Sequence, residues 1–376
     1  MEGDEKRGPL ALDTARLAEI TRFARIDEAS YADIEAVVRG SGAGDYLPER
    51  DADQDPRSDI WISRSESRRS RPLSGAAGDD NGGEASCEDG REVTSCIVCD
   101  CRLTPAVDVT SLTEGHRTFA TPNLYPMVYP FPPAECGGGR GLHLIQWCST
   151  EHDADLHNMS WQDMETVIER LAALEEFLLH GEGAGFPGTG EGHTGFAALM
   201  KNRGLKVGGS VEHGHQQIAH LSVLPRALAA DADYLGRNGQ PYAAALRKAA
   251  GAPLTVAEFP GGVSAVAAPW MRRPLEVAIL PADGAGAFLH HLADESLKGI
   301  AEALRVITGA LQLLMELRGM SFDYNLAFHT GPVGLLYIEV LPWTQPYGGF
   351  EHLGHYLCQE TPATSVRHWR NTLGYR

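Results

Sequence analysis

Val211-Glu212-His213-Gly214-His215-Gln216-Gln217-Ile218, with Gly208-Gly209-Ser210 just before it, is the stretch whose conformation decides how the rest of the chain is read. An extended chain turns alternate side chains to one face, so His213, His215 and Gln217 would share one side of a strand. Imidazole is the side chain most readily neutral and nucleophilic at about pH 7. One of the pair could therefore take a phosphoryl-linked group covalently while the other binds a metal. With fifteen histidines in the chain, chance pairs also arise, and polar residues on a half-exposed strand are the competing reading.

The flanking sequence gives this strand a setting. Ser160 caps a helix whose apolar stripe is Met164, Val167, Ile168, Leu171, Leu174, Phe177 and Leu178, and the glycine-rich run 181–195 ends it. Ala197 to Lys201 then leads through Asn202-Arg203-Gly204 to a histidine strand expected over 207–223. Upstream, 119–130 reads as strand and turn, and Leu142 to Cys148 as a strand running into Ser149-Thr150-Glu151-His152-Asp153. The plan then recurs. Strands at 263–268 and 275–280 flank Pro269-Trp270, a helix with Leu297, Ile300, Leu304, Ile307, Leu311 and Leu314 on one face starts at Asp294, and strands follow at 324–329 and 334–341. A duplication aligns His213-Gly214-His215 with Tyr337-Ile338-Glu339, which implies one active site per chain. The fold expected is α+β, two related halves of antiparallel sheet packed with helices, over 51–250 and 251–376. An acidic extension, 1–50, precedes them, with helices at Asp13–Ala24 and Tyr31–Val38 and no assignable chemistry.

Composition narrows the function. The formal charge of the 376-residue chain is −18, from 50 acidic and 32 basic residues, which opposes general nucleic-acid binding but leaves room for a local phosphate site. No apolar run approaches the roughly twenty residues of a membrane helix, and the first residues lack the apolar core of a signal peptide, so a cytoplasmic protein is expected. Arg64, Arg68, Arg69 and Arg71 form a basic cluster after a short strand near Trp61, a candidate anion site or a solvated loop. Residues 74–92 read as a mobile loop. Cys96-Ile97-Val98-Cys99 is a knuckle suited to a tetrahedral metal, with a redox dithiol as the rival.

Several of these motifs, in this order, resemble those of galactose-1-phosphate uridylyltransferases, the transferase branch of the histidine-triad superfamily. That family's H-P-H-x-Q strand compares with His213-Gly214-His215-Gln216-Gln217. Its [ND]-P-x-[ST]-x-x-W strand, followed by arginines and R-P, compares with Asp55, Pro56, Ser58, Trp61, Arg68, Arg71 and Pro72. Its N-K-G loop compares with Asn202-Arg203-Gly204, with Gly208 and Ser210 in register. The resemblance implies two histidine-triad-like halves, of which only the first carries the nucleophile. It makes His215 that nucleophile and Gln217 the holder of a phosphoryl oxygen. Arg68, Arg71, Asn202, Gly208 and Ser210 would bind phosphate and nucleotide, and Glu351 would meet the sugar. It also implies a structural zinc, with iron as the alternative, on Cys96, Cys99, His152 and His213. Gly214 replaces the family's proline and is expected to loosen the turn. A second metal of some relatives would fall to Asp231, His329, Tyr337 and Glu339, where two of three histidines are missing.

The reaction implied is ping-pong transfer of a nucleoside monophosphate from a nucleotide sugar to a sugar 1-phosphate, through a nucleotidyl-histidine in a homodimer. The alternatives are a nucleotide-sugar phosphorylase that passes an adenylyl group to phosphate, a specialised-metabolism homologue with another acceptor, and a non-catalytic zinc-containing binding module.

Overall fold

Leu142 and Leu144 alternate with His143 and Ile145, and Ile218 stands between Gln217 and Ala219, so the central strands give one face to a helical layer and keep the other for polar groups. A computed structural model describes residues 11–42, 53–63, 96–130, 141–185, 194–331 and 334–375. Its strands are β1 (Asp53–Gln54), β2 (Trp61–Ile62), β3 (Asp108–Ser111), β4 (Arg117–Pro122), β5 (Gly141–Trp147), β6 (Phe196–Arg203), β7 (His215–Leu221), β8 (Thr255–Phe259), β9 (Val263–Val266), β10 (Val277–Leu280), β11 (Tyr324–His329) and β12 (Tyr337–Pro342). Apart from the small β1–β2 ribbon, they form one ten-stranded antiparallel sheet in the order β3-β4-β5-β7-β6-β11-β12-β10-β9-β8. The order reads alike outward from its centre, so each half supplies five strands. The two halves are joined where β6 pairs with β11, Asn202 facing Asn325.

The helices are α1 (Thr14–Ile20), α2 (Tyr31–Gly40), α3 (Trp161–His180), α4 (Arg226–Asn238), α5 (Tyr242–Leu254), α6 (Asp294–Leu317), α7 (Gly349–His352) and α8 (Pro362–Leu373). The two long apolar stripes are those of α3, capped by Ser160, and α6. They pack on each other and bury Val167, Leu171, Leu174, Ile300, Leu304 and Ile307 against one face of the sheet. On the opposite face α5 buries Ala243, Leu246 and Ala250 against Val266, Ala278 and Tyr337 of the second half. The first half keeps that face for the histidines. No helix of the described residues is long and apolar enough to cross a membrane.

Two expectations change. The histidine strand begins at His215, not at 207, because 205–214 is a tight loop; His213 belongs to that loop. The two halves share one sheet instead of having two. The described part of the acidic extension packs on the first half. Leu12 and Leu17 pack with Cys96, Val98 and Cys99, the Arg16 guanidinium donates to the Asp100 carbonyl at 2.9 Å, and the Tyr31 hydroxyl lies 2.9 Å from His220 Nδ1. The segments Ser74–Arg91, Arg64, Arg68, Arg69 and Arg71 lie outside the described residues.

Candidate active site and metal centre

His215 opens β7 with Trp147 directly across on β5, the two rings tilted with centroids 5.2 Å apart. Its Nδ1 lies 2.8 Å from the His213 carbonyl oxygen. A carbonyl only accepts, so Nδ1 carries the proton and Nε2 presents its lone pair. The ring is 6% exposed. Burial first, and then the nearby Lys201 ammonium, push its basicity down to about 4, which keeps the imidazole neutral.

Lys201 is itself buried on β6. Its Nζ donates to the His215 carbonyl at 2.9 Å and pairs with Asp155 Oδ1 at 2.7 Å, fixing the backbone beneath the imidazole. Asp155 is buried as well. Desolvation works against its charge, but the Lys201 and Arg203 cations prevail and bring its carboxyl down to about 2. The loop carrying Asp155 also explains Gly214. A Cβ there would stand 2.5 Å from the Ala154 carbonyl oxygen and 3.0 Å from Asp155 Cβ. The glycine therefore permits close backbone approach instead of loosening a turn.

Gln217 follows on the same face as His215, between Ile145 of β5 and Met200 of β6. His143, which the sequence reading passed over, sets its orientation. The Met127 N–H donates to His143 Nδ1 at 3.1 Å, which leaves the proton on Nε2, 3.1 Å from Gln217 Oε1. With its oxygen occupied in this way, Gln217 has its amide NH₂ left to donate. The turn Asn202-Arg203-Gly204 closes the neighbouring edge. Asn202 Oδ1 accepts from Asn325 Nδ2 at 2.7 Å, and Gly204, at φ +94°, packs so tightly on Asp323 that any Cβ would collide with that carboxylate. Ser210 is buried, and Gly208 takes a left-handed conformation, φ +86°. Beside this loop a cavity of about 370 Å³ is lined by Ser210, Gly209, Arg203, Asp153 and Glu212 among others. Glu351 lies elsewhere, on α7. Its carboxylate accepts from the Gly348 and Leu357 backbone N–H groups at 2.8 and 3.2 Å, which organises its own loop.

Cys96, Cys99, His152 and His213 converge, with all four ligand atoms within 4.8 Å of one another. Cys96 Sγ is 3.7 Å from His213 Nδ1, and Cys99 Sγ is 3.5 Å from His152 Nδ1 and 3.8 Å from His213 Nδ1. Zinc bonds of about 2.3 Å to sulfur and about 2.0 Å to nitrogen give a tetrahedron with S–N edges of about 3.5 Å, so these residues fit such an ion. His213 Nε2 donates to the Ser149 carbonyl at 2.7 Å, which turns the Nδ1 lone pair toward the two sulfurs. The Cys99 thiol and the His213 ring hold the Cys96 thiol below its usual range.

The positions of the second metal are occupied differently. His329 Nδ1 lies 2.7 Å from Asp231 Oδ2 and its Nε2 lies 3.1 Å from Glu339 Oε2, so the ring joins two carboxylates through opposite nitrogens. Tyr337 donates to Asp231 at 3.0 Å, and Arg272 meets Glu339 at 2.6 Å. Hydrogen bonds and charge from the two carboxylates outweigh burial and raise the imidazole to about 9. It stands as a cation between acids, where a ligand would need a free lone pair.

No family model and no curated protein match the chain. Solved structures do. A uridylyltransferase aligns at TM-score 0.63 and 18% identity over 86% of this chain and 98% of that one. A GalT-like protein and an ADP-glucose phosphorylase with bound ADP-glucose, both from Arabidopsis thaliana, each align at 0.60 and 19%, over 85% and 98%. The chain thus has the fold to which its motifs point, that of the galactose-1-phosphate uridylyltransferases.

Proposed function

We propose that the protein is a nucleotidyltransferase that carries a nucleoside monophosphate on His215 between a nucleotide sugar and a phosphate-bearing acceptor. The observation that carries this reading is the prepared tautomer. Nδ1–H is tied to the His213 carbonyl, leaving Nε2 as a neutral nucleophile. Nε2 attacks the α-phosphorus, a P–N bond forms, and the P–O bond to the sugar phosphate breaks. The leaving phosphate needs no proton at neutral pH. The Gln217 NH₂ donates to a phosphoryl oxygen as charge builds on it, and Asn202, Gly208 and Ser210 would hold the nucleotide, as the motif implies. Arg68 and Arg71 are assigned to the phosphates on the motif alone.

The metal, held by Cys96, Cys99, His152 and His213, would have a structural part, tying the 96–99 knuckle to the loop that presents His215. The same covalent intermediate serves a hexose 1-phosphate or inorganic phosphate as acceptor, so transferase and phosphorylase differ here in substrate and not in the first step. A binding module would have no use for a lone pair set free by a backbone carbonyl and an amide oriented by a second histidine.

Intact mass at neutral pH, after brief incubation with UDP-glucose, UDP-galactose or ADP-glucose, tests the reading. One added nucleoside monophosphate, absent from His215→Ala, is expected, and its mass names the base. Bound nucleotide sugar with no adduct from any donor would overturn it.

A further inference from the structure

The second half contains a cavity of about 110 Å³ that the reaction through His215 does not use. Its origin lies in the register of the strands. In the first half the residue across from His215 is Trp147, whose indole fills the space beside the imidazole. In the second half β12 takes the place of β7, and the residue across from Glu339 is Ala278. An alanine where the other half has a tryptophan leaves the volume of most of an indole open.

The walls of this space have a definite chemistry. Leu246, Val277 and Ala278 give an apolar floor. Tyr242, Tyr337 and Trp270 form an aromatic wall, with Trp270 51% exposed and steadied by its Nε1–H donating to the Tyr242 hydroxyl at 2.7 Å. The remaining side is Arg272 between two carboxylates, 3.0 Å from Glu276 and 2.6 Å from Glu339. These charges are already paired with one another, Glu276 with Arg272 and Arg273 and Glu339 with Arg272 and His329, so an anion would have to break an ion pair to enter. A cation would have to displace Arg272 from both partners, and a wholly apolar guest would strand all three charged groups. What remains is a neutral ring with one apolar face and a hydrogen-bonding rim. Each carboxylate oxygen can accept a second hydrogen bond, so the rim is richer in acceptors than in donors. That favours a polyhydroxylated ring over a nucleobase, which has few N–H groups to offer.

We propose that this cavity is a binding site for a pyranose, stacked by its C–H face on Trp270 and held at its hydroxyl rim by Glu276, Glu339 and Arg272. The site lies in the second half, on the sheet face that carries His215 in the first, and it stands whether or not the proposed reaction is correct.

Calorimetric titration of the full-length, metal-loaded protein with D-glucose, D-galactose and D-mannose tests it, with uridine and adenosine beside them. Saturable binding of at least one hexose is expected. It should weaken at least tenfold in Trp270→Ala, which removes an exposed ring, and in Ala278→Phe, which fills the space. Thermal melts of both variants would show that they are folded. Nucleotidyl transfer to His215, where present, should be unchanged in Trp270→Ala. No saturable hexose binding overturns the proposal, as does hexose binding that both variants retain. Nucleoside binding that Trp270→Ala abolishes, without hexose binding, overturns the choice of ligand.

Discussion

His329 makes stability depend on pH in a direction that can be worked out in advance. Its ring is raised to about 9 in the folded protein by Asp231 and Glu339, against about 6.5 in an unfolded chain. The side chain is 9% exposed, so solvent screening takes little from the pair. A difference of about 2.5 units corresponds to about 3 kcal/mol favouring the folded state. Because the folded value is the higher one, this stabilisation is fully present below about pH 6.5 and is lost as pH rises through about 9. Urea unfolding of the wild type and of His329→Gln, at about pH 6 and about pH 10 and constant ionic strength, isolates it from other titrating groups. At the lower pH the variant should be the less stable by several kcal/mol, since it also leaves two half-buried acids without the cation between them. By the higher pH the gap should have narrowed by about 3 kcal/mol. A gap independent of pH would show that His329 is not a cation in the folded protein and would refute the reasoning.

Three further outcomes follow from the geometry. Gly214→Ala forces a methyl against the Ala154 carbonyl and should cost about 1–3 kcal/mol in urea unfolding; an unchanged midpoint would mean that the 154–155 loop yields freely. His143→Phe removes the donor that orients Gln217 and should slow nucleotidyl-His215 formation by up to about a hundredfold, with donor affinity nearly unchanged. Equal loss of rate and affinity would point to a general structural role instead. A strong chelator, or Cys96→Ser, should remove one metal equivalent per chain and lower the melting temperature; a purified protein without metal, melting alike with and without chelator, would count against the Cys₂His₂ site.

Much of this molecule could be read from local pattern. The apolar stripes of α3 and α6 repeat with helical period over many turns, and Ser160 marks a helix start by its own capping chemistry. The Cys96–Cys99 spacing suggested a metal knuckle with a redox dithiol as its rival, and the order of motifs around His215 led to the fold. What stayed hidden depends on partners far away in sequence. His143 is one of two polar side chains on β5, with Gln146, and nothing near it shows that Met127 and Gln217 will fix its tautomer. Lys201 and Asp155 become a buried pair only once β6 and the loop after β5 meet. Asp231 and His329, read at first as remnants of a metal set, become an ion pair only when α4 lies over the sheet. Helix α4 itself was missed because it buries no residue completely, and α5 because Gly251 and Pro253 break its pattern. Pairing of β6 with β11 follows from no local signal, since their sequences are separated by more than the length of either half's central hairpin.

That pairing has a consequence for attempts to divide the protein. Expressed alone, either five-stranded portion would end in a long unpaired strand, β6 or β11, with a free row of backbone donors and acceptors, and would be prone to self-association through that edge. Asn325 would also be missing from the side of Asn202, so the portion that holds His215 would lose a polar anchor supplied by the portion that holds none of the proposed nucleophilic chemistry. The two portions co-expressed as separate chains could recover both by re-forming the central ladder, which makes the protein a candidate for splitting and reassembly at the connection between β7 and β8.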